Sequence, residues 1–354
     1  MFKKILPLFL LLAMFSVPVY ASAPREIQYS HALSRAITRS LDISPLERES
    51  RAARALADEL RDQRANLPNL DNEEADELYG QRLAALAEAG RLQREADAAR
   101  FQLELRLRNQ LAAIAGIESN IALLENNLVL QERMMEQMEL RHYHGMVSEA
   151  ELRETEHTVE QTKLNLEMLQ LNLQNERQNL NRLIHQPITA NIRVVYDVNN
   201  LEPIPENIRE ARQIQRMVAQ DHDVQHWQEQ VSVRRHEWQS QLNDPEVNNT
   251  RYRRMQHQLA TLERNIAERQ AELNVRNNLT EWERLLEEEQ AALADLAQAQ
   301  ADYEDMQNRL EAGFVTQIQV DMVAMGLAAQ ESALASLSYD FWIARLRVER
   351  PYMR

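Results

Sequence analysis

The sequence predicts an all-α protein, built as two tandem repeats of long coiled-coil helical hairpins with little or no β-structure. Three observations predict it. Only 6 glycines and 5% aromatics occur in 354 residues, while Ala, Leu, Glu, Gln and Arg dominate, the mix of long helices. Apolar residues recur every seven positions over long stretches. A short motif around Gly145 returns around Gly313, 168 residues later.

Residues 1–21 read as an export signal. Lys3 and Lys4 form its charged start, an apolar run follows, and Val19-Tyr20-Ala21 gives a small-residue cleavage site. There is no cysteine, which excludes disulfides, thiolate metal sites and a lipid-modified N-terminal cysteine. A net charge of −15 without a basic stripe excludes nucleic acid as a partner.

The first repeat is assigned to residues 22–187. Its first helix is predicted over 25–44 from Ala32, Leu33, Ala36, Ile37 and Leu41. Pro45 is tolerated in the first turn of a second helix that runs to about Leu67. The segment 67–72, Leu-Pro-Asn-Leu-Asp-Asn, is a break. From about Glu73 to His142 nothing stops a helix, since proline is absent and Gly80, Gly90 and Gly116 stand alone. About seventy residues of helix span ~105 Å. Leu107, Ile114, Ile121, Leu128 and Met135 form one sevenfold series, and Leu103, Ile117, Leu124 and Met138 a second. The methionines of Met134, Met135 and Met138 are explained by seam packing. Gly145 then turns the chain, and Ser148 with Glu151 makes a capping box for the outgoing helix. Leu152, Val159, Leu166, Leu173 and Leu180 continue the period until Gln186-Pro187 ends it.

Residues 188–205 form a linker, with strand character at 192–198. The second repeat, 206–354, replays the plan. A helix is predicted from about Glu206 to Leu242, and a break at 243–249. A long helix follows from about Arg251 to Ala312, carrying Leu259, Ile266 and Leu273 and then, after a phase slip, Leu279, Leu286 and Leu293. After Gly313 a last helix runs through Leu334, Leu337, Phe341 and Leu346 to Pro351. In each repeat the two shorter helices together match the long one, so they stack end to end along it. Such a unit leaves its edges unburied and oligomerises laterally.

The stretches Tyr143-His-Gly-Met-Val-Ser148 and Leu310-Glu-Ala-Gly-Phe-Val-Thr316 resemble the hairpin tips of the TolC-like outer-membrane efflux protein family. The duplicated short–long–short plan and the endings at Pro187 and Pro351 agree with that resemblance. It implies a homotrimer that closes an α-helical tunnel in the periplasm. It also implies docking of the tips, Tyr143, Gly145, Met146, Val147 and Ser148 with Gly313, Phe314, Val315 and Thr316, on a periplasmic adaptor. An inner-membrane pump would drive export of small molecules or proteins through the tunnel, which is a conduit and not an enzyme.

The sequence departs from the family in two places. Family members carry barrel strands between the second and third helices of each repeat, where this chain has only 67–72 and 243–249. Neither has room for one membrane strand of ~9–11 residues. The chain is therefore expected at the outer membrane without spanning it alone. Acidic residues six and nine positions after the second tip glycine ring the family's tunnel mouth. Gln319 and Met322 stand there, so Glu151, Glu154 and Asp321 become the candidates. The alternative reading is an exported coiled-coil scaffold of the cell envelope that does not conduct. Closure into a hollow oligomer separates the two.

No cofactor or metal is expected. His222 and His226 lie four apart beside Asp221 and Asp223, but no third ligand is evident. His142 and His144 at the first tip would sense pH near ~6.5 only if buried in an interface. Glu287-Glu-Glu289 reads as a solvated helix face. Phosphate loops, Gly-x-Ser-x-Gly and thiol nucleophiles are absent from the sequence.

Overall fold

A computed structural model describes residues 24–66, 72–196, 198, 204, 206–242 and 250–352. The expected export signal falls outside these residues, as do the breaks at 67–71 and 243–249. The elements in order are β1 (Arg25–Gln28), α1 (Tyr29–Thr38), α2 (Ile43–Asn66), α3 (Asn72–Tyr143), α4 (Glu149–Leu183) and β2 (Ile192–Val195). A 3-10 turn (Glu206–Arg209), α5 (Ala211–Gln220), α6 (His222–Leu242), α7 (Thr250–Glu311) and α8 (Gln317–Glu349) complete the chain.

The helices form a wall four columns wide. Along α3, α2 packs on the half away from Gly145 and α4 on the half next to it, end to end. Along α7, α6 and α8 do the same, and α3 packs against α6 and α8 to join the repeats. One edge of the wall is therefore α2 with α4, and the other is α7. At 72 and 62 residues, α3 and α7 run ~108 and ~93 Å.

Duplication is visible in the cores at mid-height. Leu107, Leu111 and Leu180 are buried together in the first repeat. Val275, Leu279 and Val348, each 168 positions later, are buried together in the second. The first of these cores also takes in Ala32, Val194 and Trp342.

The boundary between repeats adds polar pairs to that apolar contact. Arg94 donates two hydrogen bonds to Glu229, at 2.7 and 2.6 Å, with the Arg94 side chain only 10% exposed. Fourteen residues on, buried Arg108 donates to the Trp342 carbonyl and to Glu104, and its guanidinium lies 4.6 Å from the Trp342 ring centroid. Tyr29 stands beside this group, and burial pushes its hydroxyl up to about 12. Arg350 reaches Glu104 at 2.9 Å, tying the C-terminal end to α3. Ser119 and Ser332 pair at 2.5 Å, and Arg133 pairs with Asp321 nearer the tips.

Two expectations are corrected. Arg25–Gln28 is a strand and not the start of a helix. It pairs in parallel with β2, Ile27 opposite Val194, so pairing and packing decide four residues whose own propensity is weak. The predicted helix from 206 to 242 is split at Asp221, whose buried side chain accepts from the Asp223 and Val224 amides at 3.0 and 3.4 Å. The split, made without proline or glycine, makes α5–α6 the counterpart of α1–α2. In α7, Leu259, Ile266 and Leu273 stay half-exposed, while Ala260, Ala267, Ala271 and Val275 are buried.

Candidate functional site: the hairpin tips

Both tips use the same backbone chemistry. At the first, the Gly145 amide donates to the His142 carbonyl at 2.8 Å and the Met146 amide to Arg141 at 2.9 Å. At the second, Gly313 donates to Leu310 at 2.9 Å and Phe314 to Arg309 at 2.9 Å. These paired bonds are the Schellman closure of a helix end, which needs a left-handed residue at the turn. Gly145 has φ 72° and Gly313 φ 76°. A Cβ on either would meet nothing within 4 Å, so backbone conformation alone demands glycine.

The outgoing helices start alike. The Ser148 side chain accepts from the Glu151 amide at 3.3 Å while the Ser148 amide donates to Glu151 at 2.8 Å, a complete capping box. At the second tip the Thr316 amide donates to Gln319 Oε1 at 2.8 Å. Sequence reasoning missed this second cap, although Thr316-x-x-Gln319 is its signature. The bond from Ser148 holds the Glu151 carboxyl below the usual range.

The surface around these turns is apolar and open. Tyr143 is 83% exposed, Met146 75% and Phe314 81%. Val147 and Val315 are half-buried, and Gly145, Ser148, Gly313 and Thr316 are exposed. The tips differ in detail. The His142 ring sits 3.0 Å from the Val147 carbonyl and straps the first turn, where Leu310 stands in the second. Tyr143 and His144 form an edge contact at 5.3 Å, with Glu311 and Ala312 their counterparts.

The three candidate mouth acids are not brought together as free carboxylates. Glu151 is engaged in its cap, Asp321 pairs with Arg133 and accepts from Gln317 at 2.8 Å, and the exposed Glu154 lies one turn on from Glu151. The Arg133–Asp321 pair joins the repeats beside the tips and was not legible from spacing. Away from the tips, His222 and His226 lie on α6 near Arg94, and burial chiefly lowers both their pKa values. Among the described residues no three His, Cys, Asp or Glu side chains form a metal cage.

Charge separates the tip-side half from the rest. Residues 111–183 and 279–351 hold 26 acidic and 11 basic side chains, which is the chain's whole net charge of −15; the remaining residues hold 29 of each.

Solved structures share this architecture. The outer membrane protein VceC from Vibrio cholerae matches with a TM-score of 0.62 at 14% identity, over 91% of this chain and 95% of that one. A membrane protein from Pseudomonas aeruginosa gives 0.67 at 15% identity, over 91% and 89%. The CmeC outer membrane channel of Campylobacter jejuni gives 0.63 at 12% identity, over 91% and 85%. No protein-family model matches the sequence, and no curated protein does. The chain has the helical-tunnel fold of TolC-like outer-membrane channels. It carries no closed barrel among the described residues, where strands are limited to the two four-residue segments β1 and β2. No described helix is long and apolar enough to cross a membrane.

Proposed function

We propose that this chain is a wall segment of an export tunnel at the outer membrane. Three copies close edge to edge in the periplasm. The tips at Gly145 and Gly313 then face a periplasmic adaptor, and an inner-membrane pump supplies the energy for moving small molecules or proteins through the lumen. The observation that carries the reading is a wall with two unlike, unburied edges, ending in two tips of the same geometry. Unlike edges associate head to tail, and head-to-tail contacts generate rings when the rotation closes. The tip acids Glu151, Glu154 and Asp321 then lie near one mouth of the ring. Non-enzymatic transport is the reading consistent with the channel fold of the neighbours.

One observation favours a scaffold without conduction. α2 ends at Asn66 and α3 starts at Asn72, while α6 ends at Leu242 and α7 starts at Thr250. Five and seven intervening residues reach at most ~18 and ~25 Å fully extended, too little for a pair of barrel strands. Crosslinking of the purified mature protein followed by mass measurement separates the two. A limiting covalent trimer is the expected result. A monomer, or an antiparallel dimer that leaves no lumen, contradicts the tunnel.

A further inference from the structure

Three of the nine histidines lie on one face of α6, and that face is turned to α3 across the boundary between the repeats. His222, His226, Glu229 and His236 follow at steps of four, three and seven, a single stripe along a helix. α3 makes room for the stripe with two glycines. A Cβ at Gly90 would fall 2.6 Å from Glu229 and one at Gly80 3.4 Å from the His236 ring, whereas one at Gly116 would meet nothing within 4 Å. The His236 ring sits 3.1 Å from the Asp76 carbonyl and edge-on to Tyr79. In the half away from the tips the repeats thus meet through close, polar and partly titratable side chains.

The two rings nearest mid-height are surrounded by charge that is already balanced. His222 faces Arg94 and Asp97 of α3, with Asp221 and Asp223 on its own helix. His226 faces Glu88, Arg91 and Arg94 of α3, with Asp223 and Glu229 on its own helix. On the other side of α6, α7 offers Ala267 and Ala271. Arg54 of α2 and Tyr352 beyond α8 border a cavity of about 410 Å³ beside His222. The carboxylates within the joint are engaged. Glu229 takes both bonds from Arg94, and Glu88 pairs with Arg91 at 2.6 Å. Asp97 accepts from Arg100 at 2.5 Å and from Gln93 at 3.2 Å, and buried Asp221 accepts from two amides. A proton on either ring therefore adds positive charge beside Arg94, whose side chain is only 10% exposed, while the nearest carboxylates are committed elsewhere.

Burial already holds both rings below the ordinary histidine value of ~6.5. A group whose folded value lies below its unfolded one contributes its stability above the unfolded value and loses it as pH falls from there. We propose that the α3–α6 joint is a pH-sensitive latch: uncharged His222 and His226 let the two repeats close in the half away from the tips, and protonation of both parts α6 from α3 there. The apolar contact around Trp342 at mid-height does not depend on either ring and keeps the repeats joined while the latch opens. The latch lies within one chain, so it requires neither lateral closure nor docking at the tips.

The chain has no cysteine, so two introduced ones carry spin labels without competition. Ala84→Cys/Ser232→Cys spans α3 and α6, and Ala55→Cys/Ala84→Cys spans α2 and α3 as a control; all three positions are exposed. Electron paramagnetic resonance of the purified mature chain at about pH 7.5 and about pH 5.5 reads the two separations. The α3–α6 separation is expected to shift to longer values in acid and to return on neutralisation, with the control pair unchanged. In a His222→Gln/His226→Gln background it should keep its neutral-pH value at both. The latch is overturned if the α3–α6 separation is the same at both pH values with the histidines present, or if the glutamine background opens in acid as they do. A control pair that lengthens equally also overturns it, since that is general melting. So does a glutamine background already open at neutral pH, because uncharged side chains are all that the closed joint requires.

Discussion

At the tips the two repeats build the same glycine turn with the same pair of closing backbone bonds, whereas at the opposite end they diverge. Gly145 and Gly313 are 168 residues apart, but the starts of α3 and α7, Asn72 and Thr250, are 178 apart. The second long helix is thus ten residues shorter, and the whole difference falls at the end away from the tips. Side chains differ freely at the tips, with His142, Tyr143 and His144 against Leu310, Glu311 and Ala312, while the glycine, the paired backbone bonds and the bond from the cap amide to the side chain three residues on do not. What the repeats share is an exposed, largely apolar turn held by paired backbone bonds. That geometry suits the docking role proposed for the tips.

The comparison can be broken most severely at the turns. Proline at position 145 or 313 fixes φ near −65° and removes the amide that closes the helix, so each costs ~3 kcal/mol locally. The tip amides Met146 or Phe314 should lose hydrogen-exchange protection while circular dichroism of the long helices is kept, and adaptor pull-down should fail. Pull-down unchanged in both variants would remove the docking role.

Next in size is the boundary that keeps the two repeats in one wall. Arg108→Met removes the donor to the Trp342 carbonyl and leaves buried Glu104 with Arg350, costing ~2–4 kcal/mol in urea unfolding. Gly90→Ala should act on the same boundary, because its Cβ would fall 2.6 Å from Glu229 Oε1 and push that carboxylate off Arg94. A stability equal to wild type in either variant would show that the boundary does not couple the repeats.

Gly145→Ala and Gly313→Ala are milder. Space is open at both, so only the left-handed backbone is penalised, by ~1 kcal/mol, and asparagine should recover part of it. Equal losses at the two positions are expected from their equal geometry.

The smallest effect separates the tips by pH. Glu151 is held ionised by the Ser148 amide, so its cap is fully formed above the carboxyl's unfolded pKa and weakens as pH falls through the folded one. Gln319 does not titrate. Exchange at the Ser148 amide should therefore quicken in acid relative to that at Thr316, and Glu151→Gln should abolish the difference.

Much of this architecture is legible in the sequence, because long helices announce themselves by period and by the absence of breakers. The bounds of α3 and α7 follow from Pro and Gly alone, and the strand character at 192–198 locates β2. What escapes is tertiary in origin. Arg25–Gln28 has no strand signature until β2 lies beside it. Asp221 breaks a helix with a single side-chain cap, which differs little in sequence from any surface acid. The period of α7 is legible, but not that Leu259, Ile266 and Leu273 stay half-exposed while the alanines beside them are buried. At the tips, glycine spacing finds both turns, while the Arg133–Asp321 pair brings together residues 188 apart and has no local signature.

Electron microscopy of the purified mature protein tests the central claim most directly. A wall of this height closed into a ring predicts hollow particles ~100 Å long with a continuous lumen, three copies around. Solid rods one wall wide, or particles without a lumen, would contradict it.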